Sequence, residues 1–217
     1  MKEFLKIGET TYIFVGTAHV YEKSVIEVRE AIRDEKPDIV ALELDPVRLD
    51  ALLHQEDRKP TLREMKDFGF KNALLLLFMS YLQNKVSSET GIIAGREMIE
   101  AALEARSLGI PITLIDRDLR ITIQKLMDKV GFKEKLMIFK DLILPEEEYS
   151  IDYAYENPAA LIDEIKVKYP FIYEVLVDER DRYMAENLKR ISKEKVLAIV
   201  GAGHVSGIKR YLGDLDV

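Results

Sequence analysis

Histidine and carboxylate carry the candidate chemistry of this chain. It has 3 histidines and no cysteine, and two of the histidines occupy nearly the same phrase. One copy runs Tyr12-Ile-Phe-Val-Gly16-Thr-Ala-His19-Val, the other Val196-Leu-Ala-Ile-Val-Gly201-Ala-Gly-His204-Val. In each, an apolar run of strand type ends at a glycine and a small-residue turn presents an imidazole three positions later. Two neutral imidazoles and a carboxylate are a ligand set that divalent transition ions favour, and such a site with open positions can hold water and lower its pKa.

The elements that must position these groups are four strands. Val15 leads to His19, Leu42 to Glu43 and Asp45, Ile115 to Asp116 and Arg117, and Val200 to His204. Ligands gather outside the carboxyl ends of parallel strands, so residues far apart in sequence can meet there. A hairpin opens the chain, with Phe4 to Ile7 joined to Thr10 to Val15 at Gly8-Glu9. Ser24-Val-Ile-Glu27 reads as a capping box for a helix with Val25, Val28, Ala31 and Ile32 buried, ending before Pro37. Ile39 to Leu42, Ile112 to Ile115 and Val196 to Val200 are further strands. Helical periodicity covers roughly 46–56, 61–68 and 71–85, then Gly95 to Leu108, stopped by Gly109 and Pro111. The acidic, aromatic stretch from Pro145 to Pro158 reads as a short helix start followed by a loop. The fold class is α/β or α+β: a central mixed sheet flanked by many helices, in one domain over 1–217.

Arg180 shares a helical face with Met184, Leu188 and Ile191, at steps of four, four and three. A guanidinium on an apolar stripe must pair with a buried carboxylate or reach into the site. Arg182, Lys189 and Arg190 lie off that stripe and are expected in solvent, as is His54 among its charged neighbours.

Composition bounds the rest. At 217 residues and 47% apolar, the chain can bury a sizeable core. Without cysteine there are no disulfides, thiolate nucleophiles, zinc-thiolate sites or iron–sulfur clusters. A net charge of −7 with interspersed signs offers no phosphate-binding stripe, so nucleic acid is not expected as a partner. A charged fraction of 33%, above the usual ~25%, suggests an organism living hot. Met1 to Lys6 does not open a signal peptide, and the longest apolar run, Ala73 to Met79, is far short of the roughly 20 residues that span a bilayer. A soluble, cytoplasmic protein is expected. That same run is apolar nearly all round, which points to a homodimer or a deeply buried helix.

Taken as an ordered set, these phrases resemble the TraB/PrgY family, within a wider group that includes the Tiki metalloproteases, the erythromycin esterases and haem-binding ChaN-like proteins. The matching phrases are Gly16-Thr-Ala-His19-Val; Pro37-Asp-Ile-Val-Ala-Leu-Glu43-Leu-Asp45 with Arg48; Gly95-Arg-Glu97-Met98; Ile115-Asp-Arg117-Asp118; Asp178-Glu-Arg180-Asp with Tyr183-Met184; and Val200-Gly-Ala-Gly-His204-Val. The Tiki branch implies a divalent-metal peptidase whose histidines and glutamate fall on His19, His204 and Glu43; manganese, cobalt and zinc are the ions considered for the site. The TraB/PrgY branch implies a role in limiting peptide pheromones, by cleavage or by capture. Members often continue into membrane-spanning helices, which would make this chain the soluble portion of a membrane-anchored form.

The resulting expectation is a metal-dependent hydrolase of a peptide or a small amide or ester. His19, Glu43 and His204 hold the ion, and Arg180 or Arg117 stabilises charge on the carbonyl oxygen. Thr17, Asp45, Arg48, Glu97 and Asp116 stand beside the site, orienting its ligands or meeting substrate. Two rivals stand with it: a metal-free hydrolase in which a histidine is the base, assisted by Glu43, and a peptide-binding protein without catalysis. Several residues have plainer readings. Glu43 has one as the ion-pair partner of Arg48 or Arg180, Asp45 as cap of the helix at Pro46, Asp116 and Asp118 as turn caps, and Glu97 as a partner of its helix dipole.

Overall fold

The computed structural model describes residues 2–17, 22–53, 95–129, 131, 162–163 and 166–214. His19, His54, the segment from Ala73 to Met79, the helices expected over 61–68 and 71–85, and the stretch from Pro145 to Pro158 lie outside the described residues.

The described strands form one five-stranded sheet. In chain order they are β1 (Lys2–Ile7), β2 (Thr10–Thr17), β3 (Ile39–Leu42), β4 (Ile112–Leu114) and β5 (Lys195–Gly201). Their spatial order is β1-β2-β5-β3-β4. The hairpin of β1 and β2 is antiparallel, turning at Gly8 with φ 56°, while β2, β5, β3 and β4 run parallel. The sheet is therefore mixed, as the sequence suggests. Registers Thr17↔Gly201, Leu42↔Ile199 and Leu42↔Leu114 bring the carboxyl ends of β2, β5, β3 and β4 to one edge.

Side chains alternate across the sheet, and each face has its own core. Ile13, Val15, Val40, Leu42, Leu197 and Ile199 face α1 (Glu22–Glu35) and α3 (Arg96–Ser107). Tyr12, Phe14, Ala41, Val196, Ala198 and Val200 face the opposite layer, made by α6 (Glu179–Lys189) and α7 (Ala202–Asp214). Helix α2 (Pro46–Leu53) follows β3, and α4 (Leu119–Lys129) follows β4. Helix α6 is preceded by α5 (Pro170–Tyr173) and one π-helical turn, Glu174–Asp178.

One boundary differs from the sequence reading. Helix α1 begins at Glu22, so Ser24 lies in its first turn and is buried there instead of capping it. Val28, Ala31 and Ile32 of that helix are fully buried as expected, and Val25 is half-buried. Helix α3 begins after Gly95, whose φ of 92° suits glycine.

Candidate functional site

At the carboxyl edge of the sheet, four charged side chains and an imidazole close on one another around Arg180. Its Nη2 donates to Glu43 Oε1 at 2.5 Å and to Asp116 Oδ2 at 2.7 Å, and its Nε donates to Asp116 Oδ1 at 3.1 Å. Its Nη1 donates to the Leu176 carbonyl at 3.1 Å and faces His204 Nε2 at 3.1 Å. Burial works against the charge of Arg180, but the carboxylates of Glu43 and Asp116 outweigh it and hold the guanidinium firmly protonated.

Each element delivers its residue for a local reason. Glu43 is the first residue after β3, and its backbone N–H donates to the Ile199 carbonyl at 3.1 Å, extending the pairing with β5. Its Oε2 accepts from the Gly201 N–H at 2.6 Å, tying the side chain to the end of β5. Asp116 accepts at Oδ1 from the Arg117 N–H at 2.7 Å and at Oδ2 from Arg48 Nη1 at 3.1 Å. Met184 and Leu188, which share the stripe with Arg180, are fully buried against the sheet.

His204 lies in the first turn of α7, directly after β5. Its Nδ1 stands 2.5 Å from Asp181 Oδ1, and its Nε2 is 3.4 Å from Glu43 Oε1. Arg180 has only donors, so the hydrogen-bond network assigns the lone pair to Nε2 and the proton to Nδ1, aimed at Asp181. Burial pushes the Asp181 carboxyl up, an effect that the bond to His204 opposes. At 1% exposure Asp181 is as deep as the core residues around it. It was not singled out in the sequence, although it stands three, four and seven residues before Met184, Ala185 and Leu188, on the buried stripe itself.

The other expected residues fall into place around this cluster or away from it. Asp45 caps α2, accepting at Oδ1 from the N–H groups of Val47 at 2.8 Å and Arg48 at 3.1 Å. Thr17 is buried at the end of β2, its hydroxyl donating to the Val200 carbonyl at 3.4 Å. Glu97 is buried in the first turn of α3. Arg117 points elsewhere, to Glu179 Oε2 at 2.7 Å, Thr122 Oγ1 at 3.1 Å and the Val175 carbonyl at 3.0 Å. Asp118, directly before α4, accepts from the backbone N–H and the guanidinium of Arg120 in the first turn of that helix.

Glu43 Oε1 and His204 Nε2 are spaced as two ligands of one tetrahedral ion would be, since donors each ~2.0–2.1 Å from such an ion stand roughly 3.3 Å apart. Asp181 also fixes the ring in the tautomer a ligand needs. Both atoms face Arg180, and a cation that used the His204 lone pair would displace its contact with the guanidinium. Among the described residues no group of three such side chains is placed to hold a metal ion.

The TraB/PrgY/gumN family matches residues 5–216. This chain is a member of that family. An uncharacterized protein of Methanocaldococcus jannaschii is 40% identical over the whole chain. TraB domain-containing proteins of mouse and human are each 26% identical over 97% of it. The chain spans 57% of the archaeal relative and 65% of each of these mammalian ones. Among the described residues no helix is long and apolar enough to cross a membrane.

Proposed function

We propose that the chain is a hydrolase of a peptide or a related amide or ester, with His204 as the group that takes a proton from water. The observation that carries this reading is the arrangement of His204: Asp181 at 2.5 Å from Nδ1, with the lone pair of Nε2 turned toward Glu43 and Arg180. An imidazole oriented by a buried carboxylate is a general base whose protonated form is stabilised as it appears.

In this mechanism a water takes the place that Arg180 Nη1 holds against Nε2 and gives its proton there. Asp181 stabilises the imidazolium, which then protonates the leaving group. Glu43 is held by Arg180 and Gly201 beside the same nitrogen and orients the water. Arg180 and Asp116 fix Glu43, which makes them positioning residues.

The 3.4 Å spacing of Glu43 Oε1 and His204 Nε2 favours a second form of the same reading. Here these two residues, with His19 on the strength of its matching phrase, hold divalent manganese, cobalt or zinc. When bound, the ion supplies Lewis acidity for deprotonating water.

The deciding experiment is turnover of fluorogenic peptide mixtures by wild type and His204→Ala, with and without a chelator. Turnover abolished by the substitution supports the hydrolase, and its loss in chelator favours the ion-assisted form. Saturable peptide binding without turnover would replace catalysis with capture, and turnover that survives His204→Ala would overturn the assignment of the base. A metal-stripped wild type that melts higher on adding the ion, next to a His204→Ala variant that does not, would support the ion separately.

A further inference from the structure

Gly207 lies inside α7, three residues after His204 and on the same face of the helix. It has an ordinary backbone, unlike Gly8, Gly95 and Gly109, whose φ values are positive. Nothing in its conformation calls for glycine, and glycine in a helix interior is worse than alanine. What calls for it is Asp181. A Cβ on Gly207 would stand 2.7 Å from Asp181 Cγ and closer still to Oδ2. The short, buried Asp181 side chain cannot swing aside as a long surface side chain would, because its Oδ1 is bonded to His204 Nδ1.

We propose that Gly207 is a positioning residue of the candidate site: its bare Cα is the seat that lets the Asp181 carboxylate lie against α7 and meet His204 Nδ1. The two helices α6 and α7 thereby hold a carboxylate–imidazole pair in one geometry. A methyl group at 207 fills the seat and pushes Asp181 off the ring nitrogen. The kinetic consequence rests on the reading of His204 as the base, whereas the geometric one does not.

The test compares Gly207→Ala, Asp181→Ala and the double variant in the full chain. Proton NMR reads the His204 Nδ1–H, identified as the downfield imidazole signal missing from His204→Ala. Gly207→Ala is expected to lose or move that signal upfield, as Asp181→Ala does. Its kcat should fall by up to about 10⁴-fold, the cost of losing the carboxylate that orients a general-base imidazole, with KM nearly unchanged. The double variant should be no slower than Asp181→Ala alone, because both changes break one contact. Its melting temperature should exceed that of Gly207→Ala, because removing the carboxylate makes room for the methyl. If Gly207→Ala does not fold, a double variant that folds supports the proposal and one that also fails overturns it. An unmoved His204 signal in Gly207→Ala, or a double variant no more stable than the single one, would likewise overturn it. Absence of turnover in wild type would end the hydrolase reading, while the NMR and melting comparisons still decide the role of Gly207.

Discussion

Arg180 directs all five of its N–H bonds at protein acceptors, two carboxylates, a carbonyl and the lone pair of His204. A guanidinium so engaged meets a substrate oxygen only by giving up one of these partners, which is why its proposed role is to position Glu43. Asp116 holds it with both oxygens and also takes Arg48, whereas Glu43 holds it with one. Asp116→Asn should therefore cost more stability than Glu43→Gln, roughly 3–5 kcal/mol for the former by taking the counter-charge from Arg48 and one of two from Arg180, against about 1–3 kcal/mol for the latter. Urea denaturation of both variants checks the order, and a reversed order would make Glu43 chiefly a structural ion-pair partner. The pairing of Arg180 with a buried carboxylate was legible from its place on an apolar stripe, and the cap at Asp45 from Pro46 beside it. Asp181 was not, because it stands in a run of charged residues where charge alone singles out none, and only its helical phase marks it as buried. Gly207 was hidden for another reason: its steric demand comes from a helix distant in sequence.

At the scale of elements, the π-helical turn Glu174–Asp178 supplies what a regular helix would not. Its wider i→i+5 ladder alters the spacing of backbone groups, and the carbonyls of consecutive residues Val175 and Leu176 accept from Arg117 and Arg180 respectively. Nothing in the composition of Glu174-Val-Leu-Val-Asp178 distinguishes it from an α-helical turn, so sequence periodicity passed over it. Deleting Leu176 should restore regular winding with little rotation of the flanking turns, because five residues of a π turn sweep about the same angle as four of an α-helix. It also removes the extra carbonyl that the turn presents. Arg117 and Arg180 could then no longer each find a carbonyl of their own in this turn, and the melting temperature should fall by about 2–10 °C. An unchanged melting temperature in a calorimetric scan would show that the turn carries no structural demand. The strands, by contrast, were legible nearly to the residue, because short apolar runs bounded by glycine, proline or charge offered few alternatives. The start of α1 was not, since Ser24 and Glu27 satisfy a capping pattern equally well one turn inside a helix that has already begun.

For the molecule as a whole, charge pairing outside the site sets a pH limit. Burial would raise the Glu179 carboxyl, but Lys125, Arg117 and Lys129 bring it down from 4.5 to about 2. A lowered carboxyl stabilises the fold above its unfolded value and loses that contribution as pH falls. Stability from Glu179 should thus be full above about pH 5 and decline from there toward pH 2. Its size is no more than about 3 kcal/mol, and less in practice because both lysines are more than a third exposed. In Glu179→Gln the urea midpoint should be lower at pH 7 and should fall less steeply between pH 5 and 3. Equal slopes in the two proteins would show that other carboxylates govern the acid limb.

The spatial order of the strands places β5, the last of the described strands in sequence, at the middle of the sheet, between β2 and β3, which do not pair with each other. A ribosome making this chain therefore completes both flanks before it makes the strand that joins them. Until Lys195–Gly201 emerges, β2 and β3 each present an open row of backbone donors and acceptors, the kind of edge that recruits stray strands. When β5 enters, Glu43 gains the N–H of Gly201, and His204 follows three residues behind. The candidate site is thus made only once β5 and the start of α7 have been added, and a chain that has not reached them has no partly working version of it to expose.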